Sequence, residues 1–190
     1  MPHVFILGGP HGAGKTTTAR SLLPDYLGIR EFVNAEDIAR GLCAFAPESV
    51  AFEAGRIMLQ RLRQLAERRV SFAFETTLAT RSFAPWLRSL QFLGYEVVVL
   101  YLWLPSAELS VRRVAHRVSC GGHDVPASII RRRYGRGLRN FLQLYRPLAD
   151  AWHLYDNAGA TPSLIAHGAP DHPDVLCAPE LWAQITRSAP

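Results

Sequence analysis

Short apolar runs alternate with stretches of helical period along most of this chain. His3-Val4-Phe5-Ile6-Leu7 reads as a buried strand, and a helical pattern over 16–23 follows it after a glycine-rich gap. Residues 31–35 read as a short second strand and 36–42 as the start of a helix. Pro47 suits the first turn of a longer helix reaching about Arg69. In that helix Ala51, Ala54, Met58, Leu62 and Leu65 recur at three and four, which marks one buried face. Ser71-Phe72-Ala73-Phe74 is a third strand ending at Glu75. A helix over 82–93 stops at Gly94, and 96–104 is a fourth strand. Two helices, 106–118 and 127–144, flank the glycine-rich break at 119–126. A fifth strand covers 153–157, an edge strand is expected at 163–166, and a last helix at 179–187.

Strands that alternate with helices predict an α/β fold, a parallel sheet with helices on both faces. In such a sheet ligands bind beyond the carboxyl ends of the strands. Attention therefore falls on Gly8-Gly9, Asn34-Ala35-Glu36-Asp37, Glu75-Thr76-Thr77, Pro105-Ser106 and Asp156-Asn157.

The first of these sites opens Gly9-Pro10-His11-Gly12-Ala13-Gly14-Lys15-Thr16, a full match to G-x-x-x-x-G-K-[ST]. Lys15 is the one lysine among 21 Lys and Arg residues. A compact ammonium reaches between phosphates in a way that a planar guanidinium does not. Glycines let backbone N–H groups curl round a phosphate, the Thr16 hydroxyl can serve Mg²⁺, and the helix that follows adds partial positive charge. A glycine-rich turn that binds nothing is the plain alternative. Motif, preceding strand and following helix agree against it. His11 is expected to be a backbone spacer within this loop.

Glu75 ends its strand in the manner of a Walker B acid, with a surface or helix-capping glutamate as the alternative. Glu36 and Asp37 follow the second strand, where a base would take a proton from an acceptor hydroxyl. Alternatively they only complement a helix dipole, a contribution of under about 1 kcal/mol. Arg112, Arg113 and Arg117 precede the glycine break, and Arg131, Arg132, Arg133, Arg136 and Arg139 follow it. Arginines closing from a mobile lid can stabilise a transferring phosphoryl group, and Gly121-Gly122 suits a hinge or lid tip. Two or three of the eight are expected to reach phosphate, the rest to form a solvated face. His116, Cys120 and His123 lack a fourth ligand with zinc-site spacing. Trp86, Trp103, Trp152 and Trp182 read as packing residues.

Composition narrows the setting. The 190 residues, 48% hydrophobic, suit a single domain over 1–190 with a sizeable core. No apolar run approaches a membrane span. The N-terminus runs straight into the first strand, and three cysteines without C-x-x-C spacing suggest reduced thiols, so a cytoplasmic protein without a signal peptide is expected. The net charge of +5 invites a nucleic-acid partner, but the excess lies largely between Arg112 and Arg146, where it could equally contact a bound nucleotide. The nucleotide reading is preferred.

Together, Gly8 to Thr16, Phe32-Val33-Asn34-Ala35-Glu36-Asp37, Phe74-Glu75-Thr76-Thr77-Leu78, Gly121-Gly122-His123-Asp124-Val125-Pro126 and Tyr155-Asp156-Asn157 resemble the zeta toxin family of P-loop kinases over about residues 3–160. The resemblance implies a P-loop NTPase three-layer sandwich with parallel strand order 2-3-1-4-5 and a short lid at about 113–133. It also implies ATP- and Mg²⁺-dependent phosphorylation of a sugar hydroxyl, which in the toxins belongs to UDP-N-acetylglucosamine. The family's base is an aspartate in an Asn-Ala-Asp-like segment. That position looks like Glu36, with Asp37 beside it. Lid arginines would correspond to Arg113 or Arg117, and a second falls near His123. An acidic substrate contact of the toxins is replaced by Met58-Leu59-Gln60.

On this reading the catalytic residues are Lys15, Glu36, Asp37, Arg113, Arg117 and His123. ATP would meet Gly9, Pro10, His11, Gly12, Ala13, Gly14, Lys15, Thr16, Thr17, Asp156 and Asn157. The small-molecule acceptor would meet Glu75, Thr77 and Arg81, and Mg²⁺ would meet Thr16 and Glu75. An antitoxin protein is a partner known from the family, though nothing in these residues indicates one. A polynucleotide 5′-hydroxyl kinase and a nucleotide-gated binding module with weak ATPase activity stand as alternatives.

Overall fold

Buried β-branched and aromatic runs build one sheet in this protein, whose computed structural model describes residues 1–188. Its strands are β1 (His3–Gly8), β2 (Phe32–Val33), β3 (Phe72–Thr76), β4 (Glu96–Trp103), β5 (Ala151–Asp156), β6 (Ser163–Gly168) and β7 (Val175–Leu176). They lie in the order β2-β3-β1-β4-β5-β6-β7. The first five are parallel, in the expected order, while β6 and β7 add antiparallel. Every residue of β4 after Glu96 is buried, as befits a central strand covered on both faces.

The helices are α1 (Lys15–Asp25), α2 (Ala35–Leu42), α3 (Ala51–Glu67), α4 (Phe83–Phe92), α5 (Ala107–Ser119), α6 (Ala127–Asn140) and α7 (Pro179–Ser188). Alternation along the strands sorts the core into two layers. Val4, Ile6, Phe72, Phe74, Val97 and Val99 face the apolar sides of α3, α4 and α7. Leu7 and Ala73 point the other way, onto Ala19 and Leu23 of α1. Full burial of a side chain such as Phe74 or Leu62 is worth roughly 1.5–3 kcal/mol. Among the described residues no helix is long and apolar enough to cross a membrane.

Three elements differ from the sequence reading. The expected edge strand at 163–166 is interior, because the two-residue β7 pairs outside it. The helix expected from Pro47 begins as a 3₁₀ turn, Pro47–Val50, before α3. The helix expected to run to 144 leaves α-geometry at Asn140 and continues as a π-turn over Phe141–Tyr145. Both Phe141 and Tyr145 are buried within that wider turn.

The glycine-rich break lies where expected. Gly121 has φ 82°, and the N–H groups of Gly121 and Gly122 donate to the carbonyls of Val118 and Arg117, closing α5. Across the break α5 and α6 pack through a small cluster of their own, Val114, Val125 and Ile130.

Candidate active site

The loop between β1 and α1 is held by side chains from distant elements. Asn157 Nδ2 donates to the Ala13 carbonyl at 2.6 Å, and the Ser110 hydroxyl donates to the His11 carbonyl. The Arg113 guanidinium donates to the carbonyls of Gly12 (3.4 Å), Asn157 (2.8 Å) and Ala158 (2.7 Å). Arg113 therefore ties the loop to the end of β5. Its Nη1 and Nη2 thus donate to carbonyls, while the side chain also lines the phosphate-loop cavity. Asp156 likewise turns inward on its own backbone, accepting from the Ala158 N–H at 2.9 Å. At Gly9, φ is 142° and a Cβ would clash with the Leu102 carbonyl, so the loop can lie against β4 only with glycine there.

Lys15 is buried at the first position of α1, where Nζ donates to the Pro10 carbonyl at 2.8 Å and lies 3.5 Å from Glu75 Oε1. The Thr16 hydroxyl donates to Glu75 Oε2 at 2.6 Å, and Asn34 Nδ2 donates to the same oxygen at 2.9 Å. The α1 N-terminus has no side-chain cap and no acid in its first turn. Its N–H groups are thus left for an anion. Lys15, Thr16, Thr17, His11, Gly12 and Gly14 line a cavity of about 240 Å³ on this side.

Asn34 also caps α2, its Oδ1 accepting from the Glu36 N–H at 2.8 Å. This fixes the helix rotation. Glu36 points inward, with Oε2 3.0 Å from Arg117 Nη1 and Oε1 3.7 Å from His11 Nδ1. Asp37 points outward, 3.7 Å from Arg40, and lines neither the phosphate-loop cavity nor the wider one across Glu36. Burial pushes the Glu36 carboxyl upward, but the His11 ring and the charges of Arg117 and Lys15 outweigh it and hold it at about 2.

His11 is not a spacer. Its ring is buried between Glu36 and Arg133, with Nε2 3.2 Å from Arg133 Nη1. Burial, together with Lys15 and Arg133, lowers its pKa below 6.5 against the opposing pull of Glu36.

Across Glu36 lies a cavity of about 550 Å³. Its apolar wall is Ala39, Ala51, Gly55, Met58, Phe83 and Val125. Its polar wall includes Thr76, Thr77, Thr80 and His123, and Arg132, Arg133 and Arg136 of α6 complete it. The α6 wall is close because Gly137, four residues after Arg133, leaves room for the Thr77 carbonyl where a Cβ would clash. His11, Lys15, Glu36 and Glu75 line this cavity and the smaller one alike.

Arg117 and His123 meet: Arg117 Nη2 donates to the His123 carbonyl at 2.9 Å, while the His123 ring turns into the wider cavity, 3.6 Å from Glu48. Arg81 does not join the site. It is exposed and lines neither cavity. Asn34, Met58 and the α6 arginines are site residues that the sequence reading did not assign. Asn34 had a readable signal, an N-cap residue before an acidic first turn. The arginines had none that separated them from their neighbours.

A phosphate loop on the middle strand of a 2-3-1-4-5 sheet, with an acid closing the adjacent strand, defines the P-loop kinase class. Residues 1–160 match the profile of the zeta toxins, and the chain belongs to that family. An uncharacterised protein of Haemophilus influenzae is 26% identical over 126 residues, covering 66% of this chain and 88% of that one. Among solved structures, the AvrRxo1-ORF1:-ORF2 complex with ATP superposes with a TM-score of 0.81 at 16% identity. The match covers 98% of this chain, which spans 64% of the length of that one. A structure from the PezAT toxin–antitoxin system of Streptococcus pneumoniae gives a TM-score of 0.64 at 17% identity, covering all of this chain and 84% of that one. At these identities the structural matches speak for the fold.

Proposed function

We propose that this protein is an ATP- and Mg²⁺-dependent kinase that phosphorylates a hydroxyl of a small-molecule acceptor, with a UDP-sugar such as UDP-N-acetylglucosamine as the first candidate. The observation that carries this reading is the Glu36 carboxylate on the wall common to the phosphate-loop cavity and the 550 Å³ cavity. The wider cavity has the size of an ordinary small-ligand site, and its small apolar wall with a polar opposite side suits a sugar or nucleotide body.

The loop N–H groups and Lys15 would hold the β- and γ-phosphates in the smaller cavity. Thr16 and Glu75 are hard oxygen donors side by side. A hydroxyl and one carboxylate, completed by water and phosphate oxygens, fit the sparse protein ligation of Mg²⁺. When bound there, the ion neutralises phosphate charge. Asn34 keeps the Glu75 carboxylate oriented through its amide.

The acceptor oxygen attacks the γ-phosphorus and forms the new P–O bond while the bond to the β,γ-bridging oxygen breaks and ADP leaves. The hydroxyl proton passes to Glu36 and then to solvent. A carboxylate held at about 2 is ionised at every working pH and well placed to orient the hydroxyl. Its low basicity suits a loose transition state, in which the proton moves late.

The test is incubation with γ-labelled ATP and Mg²⁺, with UDP-N-acetylglucosamine in one reaction and a metabolite extract in another. A labelled organic product formed by the wild type and not by Lys15→Ala supports the reading. Label released only as inorganic phosphate in both reactions rejects it.

A further inference from the structure

The phosphate-loop signature leaves position 11 open, yet this chain puts there a buried ring that touches both halves of the site. The ring's protonation follows from its neighbours. A guanidinium has donors only, so Nε2, 3.2 Å from Arg133 Nη1, accepts. In a neutral imidazole the proton then sits on Nδ1, which faces Glu36 Oε1 from 3.7 Å. The Ser110 hydroxyl anchors the His11 carbonyl, so the ring's base is tied to α5 while its two nitrogens address α6 and α2.

We propose that His11 is a positioning residue: protonated on Nδ1, it couples Arg133 of α6 to the Glu36 carboxylate and keeps that carboxylate aimed at the acceptor. The proposal rests on the kinase reading of Glu36. Glu36 accepts a hydrogen bond from Arg117 at Oε2 and faces the His11 ring across 3.7 Å at Oε1. When Arg117 turns from Glu36 to a bound phosphate, His11 is the contact that remains. Arg133 in turn holds the ring only from its place on the cavity wall, so the seating of α6 is read out at the base.

Acid reverses the arrangement. The charged groups facing the ring are Lys15 from α1, Glu36 from α2 and Arg133 from α6. A second proton on Nε2 would place two donors face to face at the Arg133 contact and release the ring. Arg133 and Lys15 disfavour that proton, and Glu36 favours it.

The test uses the full chain with ¹⁵N-labelled imidazoles. Long-range ¹H–¹⁵N spectra should show His11 protonated on Nδ1 with an accepting Nε2. The His11 titration midpoint should rise in Arg133→Gln and fall in Glu36→Gln. Transfer from γ-labelled ATP to UDP-N-acetylglucosamine should lose about tenfold or more in kcat in His11→Ala, with KM for ATP within about twofold. His11→Asn, whose amide replaces the Nδ1 donor, should recover most of that loss. An Nε2–H tautomer, a midpoint indifferent to both variants, or equal kcat for His11→Ala and wild type overturns the proposal. Failure of the kinase reading looks different: the wild type transfers nothing, or Glu36→Gln keeps full rate, while the spectra still decide the tautomer and the coupling.

Discussion

Around the phosphate loop, side chains from α5 and the end of β5 are bonded to the loop's own carbonyls: Ser110 to His11, Arg113 to Gly12, and Asn157 to Ala13. Across Glu36, the wider cavity is walled by α2, α3, the start of α4 and α6, mostly through apolar contact and arginine side chains. The first region is a backbone shape held rigid. The second is a container whose form depends on which side chains line it. Phosphate recognition asks for N–H groups and one ammonium, so it is satisfied by a short, contiguous stretch of backbone. Acceptor recognition is a matter of volume and polarity, so it can change by substitution at Met58, Gly55 or Ala51 without disturbing the loop.

If the two regions differ in this way, Lys15→Ala should have the largest effect, lowering phosphoryl transfer about 10³-fold or more. Lys15→Arg should fare little better, because a guanidinium cannot replace the buried ammonium between Pro10 and Glu75. Near-normal turnover of Lys15→Arg in a γ-labelled ATP assay would break the comparison at its rigid end.

At the boundary, Glu36→Gln should lower turnover about 10²-fold with ATP affinity nearly intact, as for a lost general base. Asp37→Asn, facing solvent beside Arg40, should change turnover by no more than about twofold. Calorimetric ATP binding alongside turnover separates the two effects. A crippled Asp37→Asn would mean that the outward acid is the one in use.

Within the container, Gly55→Leu should raise the acceptor KM about tenfold by filling the cavity while leaving KM for ATP alone. A Cβ at Gly55 meets no atom within 4 Å, and glycine weakens a helix interior. The same variant should therefore be more stable by about 0.5–1 kcal/mol in denaturant unfolding. Parallel losses in both KM values would show that the two regions are not separable.

The smallest effect concerns pH. The Glu36 carboxyl is lowered from 4.5 to about 2, so it contributes stability that is fully present above about 4.5 and is lost as pH falls toward 2. Wild type should exceed Glu36→Gln by about 1–2 kcal/mol at pH 6, and the gap should close over that acidic window. Unfolding at pH 6, 4 and 3 measures it, and a constant gap would mean that Arg117 and His11 do not hold the charge.

Much of the site was legible because it is local. The strand before Gly9, the helix after Lys15 and the acid at Glu75 all follow from residues a few positions apart. What was not legible depends on direction. Of adjacent acids about 100° apart on a helix, capping geometry sends Glu36 in and Asp37 out. Eight arginines around the glycine break look alike in sequence. Packing through Gly137 and the Val114–Val125–Ile130 cluster turns Arg132, Arg133 and Arg136 to the cavity, commits Arg113 to carbonyls and leaves Arg131 beside Glu108.

The order of strands and helices, the phosphate loop and the acids after strands two and three were determined by the sequence alone. They rest on periodicity, capping and a contiguous motif, all of them short-range. Tertiary structure decided that β7 covers β6, that a π-turn buries Phe141 with Tyr145, and that His11 bridges Glu36 and Arg133. Each of those depends on contacts between residues far apart in the chain, and their geometry exists only once the sheet has brought the strand ends together.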